Sequence, residues 1–240
     1  MKDKSPEPSR PASPGELPLL NESFGRLRVP REELDRLWRQ AWRHFGPVFV
    51  RYSVSFESGV PQVVQPLRVD LNRFTPGKGH RRILRRNADL RVEVRPTVID
   101  DERRRMFHLH KQRFLRNVPN RIEEFLGSAQ PCFPCENVEV GAYIEGRLVA
   151  ASYLDVGREG ASSLYAMFSP EESRRSLGIA TMLWEIDYAR SRGCAYYYPG
   201  YAFHEPSLLD YKKQFAGTEW FDWRGGWHPL GTGQVPVLPF

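Results

Sequence analysis

The order of apolar and polar positions divides this chain into a series of short elements. Across residues 31–45, Leu34, Leu37, Trp38, Ala41, Trp42 and Phe45 recur at helical spacing and predict a helix with one apolar face. Gly46-Pro47 ends that pattern. Residues 48–56 and 63–71 read as extended segments. Residues 78–90 read as a basic helix begun near Thr75-Pro76. Residues 92–98 alternate as a strand. Residues 100–114 predict a helix with Met106, Phe107, His110 and Phe114 turned inward, and 120–126 a shorter one.

The next section is the most regular. Residues 138–144, 147–156 and 161–168 read as three strands, separated by Glu145-Gly146 and by a turn ending at Gly160. Such turns favour antiparallel pairing, the first as a tight hairpin. A helix is expected over 174–190, a strand over 194–198, and a return toward the sheet over 211–223. The class is α/β, with a central mixed, largely antiparallel sheet flanked by helices and a small N-terminal α+β region. Residues 1–20 read as a disordered leader, 21–75 as the N-terminal region and 76–240 as the main domain.

Composition adds little to that outline, because 40% hydrophobic and 27% charged residues among 240 are ordinary for a globular chain. No apolar run approaches bilayer length, and the Pro- and Ser-rich start has no signal-like apolar region, so a cytoplasmic protein is expected. Charge is more informative. The formal net charge of +6 suits a polyanionic partner. Its arginines cluster at Arg81, Arg82, Arg85 and Arg86, at Arg103, Arg104 and Arg105, and at Arg174 and Arg175. Three cysteines cannot all pair. Cys132 and Cys135 form a CxxC with no second ligand pair after it, so a reduced loop and a buried Cys194 are expected, and no metal site.

Two segments carry candidate chemistry. Phe168-Ser169-Pro170 leads into Arg174-Arg175-Ser176-Leu177-Gly178-Ile179-Ala180, where a strand gives way to a turn and a helix start. Small residues at Gly178 and Ala180 let backbone N–H groups approach an anion, and Arg174 and Arg175 add charge. Three strands, this turn and helix, and a further strand resemble the GNAT acyltransferase core, whose turn holds the pyrophosphate of acetyl-CoA. The second segment is Arg81-Arg82-Ile83-Leu84-Arg85-Arg86, a basic face suited to nucleic-acid phosphates, with Ile83 and Leu84 free to pack inward.

A longer resemblance joins these segments. Phe74-Thr75-Pro76, followed by Arg81-Arg82-Ile83-Leu84-Arg85-Arg86-Asn87-Ala88-Asp89-Leu90, is similar to the F-x-P…R-R-x-L-R-R-N-x-D-L stretch of aminoacyl-tRNA–protein transferases. Leu109 to Phe114, the hairpin from Tyr143 to Asp155, and Ser162 to Gly178 resemble later family segments in order. So do Tyr196-Tyr197-Tyr198-Pro199-Gly200-Tyr201 and Tyr211-Lys212. Trp42-Arg43-His44-Phe45-Gly46 resembles the family's G-W-R-R-F-G. The resemblance covers roughly residues 20–225.

The resemblance implies a GNAT-like fold, an aminoacyl-tRNA donor, no cofactor, and the α-amine of a protein or peptide as acceptor. It implies that Arg81, Arg82, Arg85 and Arg86 hold tRNA phosphates, and that Arg174, Arg175, Gly178 and Ala180 meet the 3′ end. Tyr197, Tyr198 and Tyr201 would wall the reaction cleft, with Tyr198 and Tyr201 catalytic. Lys212 would recognise an acidic residue or a phosphate, and Asp155 would orient the amine or take its proton. His204 is a weaker candidate. Two departures stand out. The family's N-terminal cysteine cluster has no cysteine in the stretch from Arg51 to Arg68, and the family's K-M-x-Y-K becomes Leu208-Leu209-Asp210-Tyr211-Lys212. The second implies a weakened acidic pocket. An acetyl-CoA-dependent N-acyltransferase acting on a small amine, and a non-catalytic RNA- or protein-binding descendant, are the alternatives.

Overall fold

The computed structural model describes residues 17–56, 59–114, 119–127 and 133–233. Cys132 lies outside them. In chain order the elements begin with β1 (Asn21–Gly25), α1 (Arg31–Arg39), β2 (Arg43–Phe45), β3 (Val48–Tyr52), β4 (Val54–Ser55) and β5 (Gln62–Asp70). Next come α2 (Lys78–Arg86), β6 (Arg91–Pro96), α3 (Asp101–Lys111), α4 (Glu123–Leu126), β7 (Asn137–Ile144), β8 (Arg147–Val156) and β9 (Gly160–Phe168). A 3-10 turn (Pro170–Arg175) precedes α5 (Leu177–Ser191) and β10 (Tyr196–Phe203). A second 3-10 turn (Asp210–Gln214), β11 (Thr218–Phe221) and β12 (Trp227–Pro229) complete the described chain.

The main sheet runs β12-β11-β5-β10-β9-β8-β7-β6, with β4 attached to β5; a three-stranded sheet, β1-β3-β2, stands beside it. The α/β class and the mixed, largely antiparallel sheet are as expected, since β9 and β10 pair in parallel while the other pairs are antiparallel. Helix α5 packs on one face, where Met182, Leu183, Ile186 and Ala189 meet Val69, Leu154 and Val156. Helix α3 brings Met106 and Phe107 against Tyr153 and Met167. Strand β5 falls in the segment 21–75 yet sits between β10 and β11, inside the main sheet.

Several boundaries differ from the periodicity. The helix expected over 31–45 stops at Arg39, because Ala41 adopts φ 65 and the Trp42 amide turns back to the Leu37 carbonyl. Arg43 and His44 therefore lie on a strand. The helix expected from Arg174 begins at Leu177, after a left-handed Ser176. Phe114, expected inside, is exposed. Leu17, assigned to the leader, is buried against Val63, Val64 and Phe221.

The stretch corresponding to the family's cysteine cluster is held by other means. Its described residues form β4 and the start of β5, and Val63 and Val64 pack with Ala41, Phe221 and Trp223. The Ser53 hydroxyl accepts from the Leu20 amide at 2.9 Å and donates to the Pro18 carbonyl at 2.6 Å. Apolar burial and hydrogen bonds are what join these segments.

Candidate active site

Strand β10 follows β9 for only three residue pairs: Tyr196 with Gly160, Tyr197 with Ala161, and Tyr198 with Ser162. Its register against β5 then shifts between Tyr197 and Gly200. The local sequence explains the break. Pro199 has no N–H to give to a ladder, and Gly200 takes φ 95, a conformation strained for any residue with a Cβ. Beyond Ser162 the parallel strands separate and leave a wedge through the sheet.

Side chains enter the wedge from both faces. From the β2 side, Arg43 donates to the Ser162 hydroxyl and to the Ser163 carbonyl, a strand acceptor beyond the last β9–β10 pair. From the α5 side, Glu185 accepts from the Tyr197 hydroxyl at 2.5 Å and from the Ser163 hydroxyl at 3.3 Å. Lys212, on the second 3-10 turn, donates to the Tyr201 carbonyl at 3.1 Å. A Cβ at Gly200 would lie 3.4 Å from the Arg43 guanidinium and 3.5 Å from Lys212 Nζ. Both side chains therefore converge on one point of the backbone at van der Waals distance, and it is the φ of 95 that calls for glycine there.

Burial sets the electrostatics. Desolvation pushes the Glu185 carboxyl up to about 7, opposed by its hydrogen bonds from Tyr197 and the serines and by the Arg43 charge. Desolvation likewise lowers Lys212 to about 7, reinforced by Arg43 and opposed by Glu185. Burial thus shifts the carboxyl and the amine toward their neutral forms, in opposite directions.

Next to the wedge, on the Arg43 side, a small aromatic concavity is lined by residues including Trp38, Trp42, Tyr198, Tyr201 and Trp227. The tyrosines expected to be catalytic serve there as walls. Tyr201 donates its hydroxyl to the Ala41 carbonyl at 2.5 Å, fixing the turn that ends α1. Tyr198 packs between Trp38 and Trp227, and burial holds its phenol protonated beside Arg68. Tyr197 faces α5 and orients Glu185.

Asp155 needs the plainest correction. It is buried beneath the wedge, where Oδ2 meets His44 Nε2 at 2.8 Å and Oδ1 accepts from Asn137 at 2.7 Å and from the Cys135 thiol at 3.4 Å. Buried and held by these three partners, it is out of reach of an incoming amine. Instead it anchors His44 and thereby sets the position of its neighbour, Arg43. His204 lies at the far end of β10, against Trp220, and desolvation lowers it to about 4.

The expected tRNA-binding residues also divide. Arg81, Arg82 and Arg85 are exposed along α2. Arg86 is partly committed elsewhere, donating to the Arg174 carbonyl at 2.7 Å. Arg175 forms a two-pronged pair with Asp89, 2.9 Å on each arm, and a third bond to Glu172. These two arginines bind α2 to the turn before α5, while Arg174 stays exposed. Ala180 is fully buried and its amide is bonded to the Ser176 carbonyl at 3.1 Å, so it is no part of a phosphate cradle. Leu177 and Gly178 hold the first-turn amides. At Gly178 an added Cβ would meet only Phe168, at 3.5 Å.

Leu208, where the family carries lysine, is 93% exposed. The exchange therefore removes no cation from the wedge, contrary to the weakened pocket expected. Arg43 and Glu185 were missed as site residues. Arg43 lay within the matched Trp42–Gly46 segment, but its apolar neighbours fitted a helical face. For Glu185 the available signal was one acid among Ala180, Met182, Leu183, Ile186 and Ala189.

The mixed sheet opens between its two parallel strands, and Arg43, Glu185 and Lys212 stand at that opening. Residues 98–222 match the family model of the arginine-tRNA-protein transferase C terminus. An aspartate/glutamate leucyltransferase of Halorhodospira halophila is 31% identical over 204 residues, covering 83% of this chain and 84% of that protein. Another from Marinobacter nauticus is 30% identical over 174 residues, covering 70% and 71%. Among solved structures, FemX aligns with a TM-score of 0.47 at 12% identity, over 79% of this chain and 66% of that one. The chain belongs to the arginine-tRNA-protein transferase family. It is an aminoacyl-tRNA-dependent transferase. Among the described residues, no helix is long and apolar enough to cross a membrane.

Proposed function

We propose that this chain transfers an aminoacyl group from charged tRNA to the α-amine of a protein whose first residue is acidic. The observation that carries the acidic preference is the approach of Arg43 and Lys212 to one point beside Gly200. The Arg43 guanidinium attracts a carboxylate there, Lys212 adds its charge below about pH 7, and a basic side chain is repelled.

The chemistry asks little beyond placement. The donor is an ester already activated toward aminolysis, so orientation, an unprotonated amine and charge stabilisation account for catalysis without a cofactor. Glu185, held by Tyr197, takes the amine proton. The amine attacks the ester carbonyl and the tRNA 3′ hydroxyl leaves, so one C–N bond forms as one C–O bond breaks. Arg81, Arg82, Arg85 and Arg174 hold the tRNA backbone on the α2 side, with its 3′ end at the Leu177 and Gly178 amides. Charged tRNA is a cytoplasmic substrate, and we place the reaction there.

The test is transfer of labelled amino acids, from a panel of charged tRNAs, to peptides differing only in their first residue. Incorporation into peptides beginning with Asp or Glu, at least tenfold above those beginning with Ala or Lys, is expected. Incorporation indifferent to the first residue overturns the acidic preference, and no transfer from any charged tRNA overturns the reading itself.

A further inference from the structure

Below the wedge, three side chains of different chemistry converge from three parts of the chain: His44 of β2, Cys135 of the loop before β7, and Asp155 of β8. All three are buried, and their donor atoms lie within 4.8 Å of one another. His44 Nε2 is 2.8 Å from Asp155 Oδ2, Cys135 Sγ is 3.8 Å from His44 Nε2, and Sγ is 3.4 Å from Asp155 Oδ1. Nitrogen, sulfur and oxygen ligands at zinc distances, roughly 2.0–2.3 Å from a shared ion, lie about 3.3–3.8 Å apart. The two sulfur separations match that spacing, and the His–Asp pair would open by about half an ångström.

The surroundings orient these atoms as a metal site requires. His44 Nδ1 lies 2.9 Å from the Gly46 carbonyl, which can only accept; Nδ1 therefore carries a proton. That bond fixes the ring and, in the neutral tautomer, leaves the Nε2 lone pair directed at the Asp155 carboxylate. Two electron pairs 2.8 Å apart need a cation between them, either a proton or a metal. Asn137 donates to Asp155 Oδ1 at 2.7 Å, so the carboxylate is also held from behind. Outer hydrogen bonds of both kinds are what ligating histidines and carboxylates use. A divalent ion with one thiolate and one carboxylate leaves the buried site neutral. Mixed nitrogen, sulfur and oxygen donors suit zinc rather than magnesium or calcium.

We propose that His44 Nε2, Cys135 Sγ and the Asp155 carboxylate supply the three protein ligands of a Zn²⁺ site that joins the N-terminal strands to the main sheet, with water at the fourth, tetrahedral position. The site is separate from the stretch where the family's cysteine cluster would fall, and it stands whether or not the proposed acceptor preference holds. By fixing His44 it fixes Arg43 at the wedge. This ion takes no part in the transfer.

The test uses the full chain, without a metal-binding tag, expressed with added zinc and dialysed against zinc-free buffer. Elemental analysis is expected to find about one zinc per chain, falling at least tenfold in Cys135→Ser and His44→Gln. Cobalt(II) reconstitution should give a thiolate-to-cobalt charge-transfer band that Cys135→Ser lacks. Should those variants not fold, the wild-type melting temperature decides: a strong chelator lowers it by several degrees and zinc restores it. Wild-type protein that purifies without zinc and whose melting ignores zinc and chelator overturns the site, leaving a His44–Asp155 hydrogen bond alone. Zinc retained in full by both folded variants overturns it equally.

Discussion

Arg43 and Gly200 pack directly against each other: the guanidinium stands 3.4 Å from where a Cβ at Gly200 would lie, an ordinary van der Waals contact. Gly200→Ala therefore has room for its methyl but sits at φ 95, where an L-residue is strained by roughly 1–3 kcal/mol, and relief of that strain moves the backbone next to Tyr201, whose carbonyl holds Lys212. Small displacements of positioning groups cost rate steeply. The expected outcome is a fall in kcat/KM of at least about tenfold, measured by peptide transfer, with a melting temperature only a few degrees lower.

Glu185 links pH to both rate and stability. If it takes the amine proton, kcat rises as pH passes through about 7, and Glu185→Gln loses that limb together with about 10²-fold in rate. The stability effect has a definite sign. The folded-state value, about 7, lies above the ordinary 4.5, so this group's stabilising contribution is full below 4.5 and is lost as pH rises through 7. Glutamine carries no such loss. Thermal melts should therefore show Glu185→Gln gaining on wild type between pH 5 and pH 8, and a constant difference would remove the buried-carboxylate account.

The α2 arginines act differently. Arg81, Arg82 and Arg85 project to solvent, so replacing all three with alanine should weaken charged-tRNA binding without moving the KM for peptide. Each arginine–phosphate pair removed lowers the slope of log K against log salt by about 0.7–0.9, so the triple variant should lose about 2 to 3 units of slope. An unchanged slope would place the tRNA elsewhere.

How much of this was legible depended on how local each signal was. The three strands β7, β8 and β9 appear in the alternation and in Glu145-Gly146, because hairpins are encoded by neighbouring residues. Arg43 was hidden because Trp42 and Phe45 continued a helical spacing that Ala41 interrupts, with no glycine to mark the left-handed turn. Asp155 was misassigned because its role depends on His44, 111 residues away, and on Cys135 and Asn137. Glu185 was invisible, since an acid in a helix reads as solvated until the sheet is seen to cover it. The family resemblance placed Lys212 in the cleft, but only the fold shows that Leu208 stands outside it.

The pair Arg175–Asp89 offers a last test, of whether α2 and the turn before α5 act as one tRNA-binding unit. Its two bonds of 2.9 Å join helix to turn, yet Asp89 is more than half exposed, so solvent screening keeps the pair's contribution to stability small. Arg175→Asp and Asp89→Arg should each lower the melting temperature slightly and weaken tRNA binding more clearly, by misaligning Arg174 and the Gly178 amide relative to α2. Arg175→Asp also gives up its bond to Glu172, so it should be the more costly of the two. Combining them restores opposite charges across the junction, and a double-mutant cycle should show recovery of most of the affinity lost by Asp89→Arg. Strictly additive losses would mean that Arg175 touches tRNA directly instead of bracing the turn.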